Sequence, residues 1–321
     1  MTFPAEYLLS VCPCLLALGG LFAFSAGRRG WLKAALTGLG LALPLGYAAA
    51  KAGYLCFFLQ AQLARWGFAA LVLPRADAFS FVGGCAGAAL ALAAGAKVSR
   101  VRPRELLNLF TPFGAGMAAC FRLGEYWLGT LGAGALLPEG HWAAGTLLAL
   151  RNNWGEWHWA VCGCEAAFAL LCAALALTLW KKREDRFART ALLLCCGQFF
   201  WELLRSRAAS WHFVRIDQLW CACVLLGFAT AALLHGGRWQ PLLWTVILIG
   251  LNAYLQFALD KPELMTALLP EASGSWIGKN IKPVCHTGFM LTAAGLWAAA
   301  RQSLKGMGIY SPRRNMRSMT A

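Results

Sequence analysis

Apolar runs separated by short polar or basic stretches divide this chain from end to end. The runs are Tyr7–Ala26, Leu32–Phe58, Phe79–Ala96, Leu106–Leu131, Trp157–Trp180, Thr190–Leu204, Leu219–Leu234, Pro241–Leu259 and Val284–Ala300. Crossing the hydrocarbon of a bilayer takes about 20 apolar residues. Backbone groups in lipid must bond within their own segment, so the runs read as helices. The pattern predicts an all-α fold, a polytopic membrane helical bundle of about nine transmembrane helices. The first run has the length of a signal peptide. Only Glu6 and no cation precedes it, so it reads as a retained span.

Composition agrees with lipid as the solvent. Hydrophobic residues make up 59% of the 321 positions and charged residues 13%, against about 25% charged in a soluble domain. A net charge of +15 invites a nucleic-acid reading, but the Lys and Arg flank apolar runs and form no basic domain. That is the pattern of topology signals and contacts with anionic headgroups, so no nucleic acid is expected as a partner. Every second loop is basic: Arg28, Arg29 and Lys33; Lys97, Arg100, Arg102 and Arg104; Lys181, Lys182, Arg183, Arg186 and Arg189; Arg301, Lys305 and Arg313–Arg317. These loops face the cytoplasm by the positive-inside rule, which puts the N-terminus outside and the C-terminus inside. The intervening loops, such as His141–Glu156 and Lys261–Lys282, carry Pro, Gly and Trp, and Trp154, Trp157 and Trp159 form an outer aromatic belt. No internal repeat points to an inverted-repeat transporter.

The 13 cysteines lie mostly inside apolar runs, with C-x-C pairs at Cys12 and Cys14, Cys162 and Cys164, and Cys221 and Cys223. Cys195 and Cys196 are adjacent. None has the C-x-x-C plus His spacing of a zinc site, so they read as small packing residues, and no metal or cofactor is expected.

Ionisable groups inside spans are costly and mark function. Here they are Lys51, Arg122, Glu125, Glu165, Glu202 and Arg205. Arg122 and Glu125, and again Glu202 and Arg205, stand three apart, which puts each pair on one helical face. Arg122 lies roughly 24 Å along its helix, Arg205 roughly 22 Å, Lys51 roughly 28 Å, and Glu165 roughly 12 Å below the outer end of the fifth run. Four helices thus bring three cations and three carboxylates to one height in the outer half of the bilayer. One reading is a set of structural ion pairs that lock helices together. The other is an anion site, in which the planar guanidinium forks bond a lipid phosphate.

Several segments resemble the bacterial prolipoprotein diacylglyceryl transferase family. Phe81-Val82-Gly83-Gly84 is similar to its phenylalanine-histidine-diglycine motif, with Val82 at the histidine. Arg122 and Gly124 match its glycine-arginine-x-glycine-asparagine-phenylalanine signature, with Phe121, Glu125 and Tyr126 at the first glycine, the asparagine and the phenylalanine. Lys51–Phe58 resembles an arginine-leucine-glycine-tyrosine segment, with Lys51 at the arginine and Tyr54 at the tyrosine. Glu165 stands at the glutamate that ends a histidine-proline-serine-glutamine-leucine-tyrosine-glutamate motif. Trp201–Arg205 resembles glutamate-phenylalanine-phenylalanine-arginine, with Arg205 at the essential arginine. Ile216-Asp217-Gln218-Leu219 resembles the glycine-glutamine start of the last family span.

The resemblance covers roughly residues 5–236. It implies a seven-span transferase-like domain over 1–236, two additional helices with an outer loop over 237–300, and a basic cytoplasmic tail over 301–321. It implies transfer of a diacylglyceryl group from phosphatidylglycerol to the cysteine thiol of a lipobox-containing preprolipoprotein, at the outer side of the bacterial cytoplasmic membrane. Arg122, Arg205, Glu165 and Glu202 are then the catalytic candidates. Lys51, Tyr54, Gly83, Gly84, Gly124, Glu125 and Gln218 are the substrate-binding candidates. With Val82 unable to accept a proton, His158 and His212 near the outer interface are candidate substitutes, more so than His141, His235 or His286. The alternatives are a transferase of the same fold with another lipid or acceptor, and a non-catalytic phospholipid-binding scaffold.

Overall fold

Small residues decide how closely the helices of this chain approach one another, and caps decide where they start. The computed structural model describes residues 29–72, 79–127, 132–152, 154–181, 183–206, 210–211, 214–263 and 271–307. The run Tyr7–Ala26, Cys12, Cys14, Arg28, Lys182, His212 and Arg313–Arg317 lie outside the described residues.

The helices are α1 (Arg29–Trp66), α2 (Phe81–Val98), α3 (Pro103–Trp127), α4 (Val161–Leu177), α5 (Arg186–Leu204), α6 (Ile216–Leu234), α7 (Gln240–Asp260) and α8 (Glu271–Gly306). Among the described residues six segments are long and apolar enough to cross a membrane: Gly30–Leu71, Phe81–Val98, Pro103–Tyr126, Arg186–Leu204, Ile216–Leu234 and Gln240–Asp260. The chain is a helical, membrane-embedded protein. Starts follow capping chemistry: the Ser80 hydroxyl accepts from Gly83 N at 3.0 Å to open α2, and Pro103 takes the first position of α3, where a missing N–H costs nothing.

Two compact units account for the contacts. The first comprises residues up to Thr190 together with Trp201–Trp220, and the second Ala191–Phe200 together with the chain from Cys221 onward.

In the first unit, α1 and α2 run antiparallel with backbones almost touching. A Cβ added at Gly87 would meet Leu45 O at 2.5 Å, one at Gly95 would meet Gly38 N at 2.5 Å, and one at Gly83 would meet Ala49 O at 2.7 Å. Lipid offers no hydrophobic drive between helices, so close backbone approach is what holds such a pair. Ala34, Ala35, Ala96, Leu106 and Phe110 continue the packing towards the other end. Asn108 of α3 fastens the start of α5: its Oδ1 accepts from Phe187 N at 2.7 Å and its Nδ2 donates to Glu184 O. Asn108→Ala should cost about 1 kcal/mol through the lost cap, read as a lowered unfolding temperature of the purified protein.

The loop after α3 holds a three-stranded antiparallel sheet in the order β1-β3-β2, from Ala133–Leu136, Trp157–Ala160 and Ala149–Arg151. Ala133 pairs with Ala160 and Leu150 with His158. Trp157–Ala160, which the apolar pattern assigns to the start of a span, are therefore strand, and α4 begins at Val161. Aromatic side chains favour a pleated, half-buried surface, and partners for β3 exist on both sides. A two-stranded hairpin, β4 (Ser210–Trp211) and β5 (Val214–Arg215), precedes α6.

In the second unit, α7 and α8 pack antiparallel: Gly288 lies under Leu255 and Gly295 under Leu248. Between them Asn252 Nδ2 donates to Thr292 Oγ1 at 3.1 Å.

Candidate functional site

Within the first unit three helices deliver five charged side chains to one point. Arg122 and Glu125 come from the last turns of α3, and Glu165 from the second turn of α4. Glu202 comes from the last turn of α5, and Arg205 is the residue that caps it in extended conformation, with ψ 130°. All five are at most 8% exposed. Burying such charges is tolerable only where they are paired and hydrogen-bonded.

The pairing is dense. Arg122 Nη1 donates to Glu125 Oε1 at 2.8 Å, its Nε lies 3.2 Å from Glu165 Oε2, and its Nη2 lies 4.0 Å from Glu202 Oε1. Arg205 Nε donates to both Glu165 oxygens at 3.1 Å, and its Nη2 bonds Glu165 and Glu125. Glu125 and Glu165 thus bridge both guanidinium groups. Arg215 closes the rim, with its Nη2 donating to the Arg205 carbonyl at 3.1 Å.

Arg122 differs from Arg205 in one respect. Its guanidinium lies 3.8 Å above the Phe81 ring, and its Nε and Nη2 are buried without a hydrogen-bond acceptor. The nearby carboxylate oxygens give those two N–H groups charge but not alignment. A buried donor left without an acceptor costs about 1–3 kcal/mol, so an incoming oxygen aligned with the fork would gain that amount.

Phe81 is held in turn by Asp217. One carboxylate oxygen accepts from Ser80 Oγ at 2.6 Å and Val82 N at 3.3 Å, the other from Phe81 N at 3.3 Å. A carboxylate over exposed amides at a helix start is favourable on both hydrogen-bonding and dipole grounds. In the sequence Asp217 stands in the Ile216–Leu219 segment without a role of its own. Its partners stand 135 to 137 residues away, so no local pattern marks it.

The remaining sequence candidates distribute as follows. Lys51 is buried with its ammonium 5.2 Å from the Phe79 ring, beside the backbone bond from Ser80 N to Ala50 O. Tyr54 is buried against Phe58, and its hydroxyl accepts from Gln62 at 3.3 Å. Gly83 faces the α1 backbone, and Gly84 lies beside Ala50 of the same helix. Gly124 is buried on α3 between Arg122 and Glu125. Gln218 is buried and accepts from Arg215 N at 3.4 Å. His158 sits in β3, with its ring nitrogens at Gly134 O (3.0 Å) and Asn152 Nδ2 (3.2 Å) and with Glu156 3.9 Å away.

The small sheet is seated on the cluster. Cys162 N donates to Gly132 O, Ser206 N and Oγ both donate to Ala133 O, and a Cβ at Gly132 would meet Cys162 Sγ at 2.5 Å and Glu125 Cβ at 3.4 Å. Gly132 therefore lets β1 lie directly over the end of α3 and the start of α4. Among the described residues no group of His, Cys, Asp and Glu has the arrangement to hold a metal ion. Compared with known proteins, the chain matches no family model, no curated protein and no solved structure.

Proposed function

We propose that this chain is a membrane transferase of the prolipoprotein diacylglyceryl transferase type, acting on phosphatidylglycerol and a lipobox cysteine at the outer side of the bacterial cytoplasmic membrane. The observation that carries the reading is the buried Arg122 guanidinium, paired with carboxylates yet with two hydrogen-bond donors unaccepted. Two aligned N–H groups on a planar cation match two oxygens of a phosphodiester.

Arg122 so placed would support the following transfer. The acceptor thiol gives its proton to a carboxylate, and the sulfur attacks the glycerol carbon that carries the phosphate ester. The carbon–oxygen bond breaks and its electron pair stays on the phosphate oxygen, so glycerol phosphate leaves and a thioether forms. Arg122 stabilises the charge that grows on that oxygen, an interaction stronger in the transition state than before it. Arg205 holds Glu125 and Glu165 in place. Glu125, at 8% the most exposed of the five, takes the proton in the absence of a histidine at Val82.

Purified protein supplied with phosphatidylglycerol and a lipobox peptide should give peptide carrying a thioether-linked diacylglyceryl group, detected by mass spectrometry. Arg122→Ala should lower turnover by about a hundredfold or more. Phospholipid binding without any thioether product would leave a lipid-binding scaffold in place of the enzyme.

A further inference from the structure

We propose that Asp217 is the positioning residue for Arg122, acting through the first turn of α2 and the Phe81 ring; this rests on Arg122 being the phosphate ligand.

The chain of contacts is short and each link is separately visible. Asp217 holds three donors of one turn, namely the Ser80 hydroxyl and the amides of Phe81 and Val82. Ser80 also caps that turn through Gly83 N. With both ends of the turn fixed, the Phe81 ring is fixed too, and it packs against Phe121 at 5.5 Å on its way to Arg122. The guanidinium lies 3.8 Å from the ring centroid. A flat ring under a flat cation restricts its tilt.

The carboxylates alone do not account for this pose. They engage Nη1 with good geometry, while Nε and Nη2 stay without an acceptor. Something other than hydrogen bonding must therefore keep the fork from rotating to satisfy them. The ring is the contact that does so, and Asp217 is what holds the ring. Position 217 thereby takes part in headgroup recognition without touching the headgroup.

The test is a double-mutant cycle on the full-length protein in detergent, reading the affinity for dioctanoyl-phosphatidylglycerol. Asp217→Ala and Phe81→Leu should each weaken binding about tenfold, and the double variant should also be about tenfold weaker, because both break one chain of contacts. Asp217→Asn keeps one acceptor oxygen, enough for Ser80 Oγ and Val82 N, and loses the one that faces Phe81 N, so its loss should be smaller than that of Asp217→Ala. An unchanged affinity in Asp217→Ala, or losses that multiply in the double variant, overturns the proposal. A purely structural role would lower the unfolding temperature without this non-additivity. Should Asp217→Ala not fold, Ser80→Ala replaces it in the cycle: a loss that vanishes in the Phe81→Leu background supports the proposal, and one that persists overturns it. If Arg122→Ala binds the lipid as well as the unaltered protein, the phospholipid reading itself falls and takes this one with it.

Discussion

Arg205→Ala should abolish thioether formation and destabilise the protein by about 3–5 kcal/mol, the usual cost of stripping one partner from a buried ion pair. Arg205 bonds Glu125 and Glu165 together. Without it both carboxylates face Arg122 alone, and an excess negative charge stays buried in a region that water does not reach. The expected response is reorientation of the Arg122 fork towards the released carboxylates, which closes the two donors that a phosphate needs. Arg205→Lys separates the two effects. An ammonium restores the charge, so most of the stability should return, but it cannot bond both glutamates in a fork, so transfer should stay about a hundredfold down. Unfolding temperature and product yield, measured on the same preparations, check both statements. Full activity in Arg205→Ala would sink the assignment of this cluster.

The second large effect is expected far from the charges. Gly87→Val should prevent α1 and α2 from closing, because even its first carbon would meet Leu45 O at 2.5 Å, Ala49 Cβ at 2.7 Å and the Gly46 Cα at 2.9 Å. Two of those three neighbours are backbone and cannot swing aside, and overpacking of this kind costs about 1–3 kcal/mol or more. Gly84→Ala, one turn away on the same helix, is the control. Its added carbon meets only Ala50 Cβ at 3.4 Å and Gly46 O at 3.8 Å, which is ordinary contact, so the change should stay within about 0.5 kcal/mol. Thermal unfolding of the two variants in one detergent separates them, and equal losses would mean that backbone proximity is not what holds this pair. The contrast also bears on Gly83, whose added carbon would strike Ala49 O at 2.7 Å. Its place in a diglycine motif has a packing cause, independent of any contact with substrate.

Apolar runs located the helices among the described residues, because in lipid the backbone has no other way to satisfy itself. Leu32–Phe58 became Arg29–Trp66, and Pro241–Leu259 became Gln240–Asp260. It failed at Trp157–Ala160, where an apolar stretch continues a strand and not a helix. Hydrophobicity alone does not distinguish the two, and the partners of β3 lie in a loop whose glycines and prolines masked its strands. For the cluster, the spacing of Arg122 and Glu125 did indicate a bonded pair, since three residues make one turn. The same spacing at Glu202 and Arg205 was misleading about geometry. Arg205 has already left the helix, and its fork reaches 40 and 80 residues back to Glu165 and Glu125. Asp217 was illegible for the same reason: a cap supplied from another helix leaves no mark at the helix it caps.

The wiring of the charges also has a consequence for biosynthesis. A ribosome delivers these residues in order, and a lone guanidinium released into hydrocarbon would resist insertion. Arg122 emerges with Glu125 three positions behind it, and that pair can neutralise itself within a single turn. Glu165 follows with the next helix, so two acceptors are waiting when Arg205 leaves the exit tunnel after them. At no stage of translation does the growing chain have to leave an arginine of this cluster in the bilayer without a counter-charge already made or three residues away.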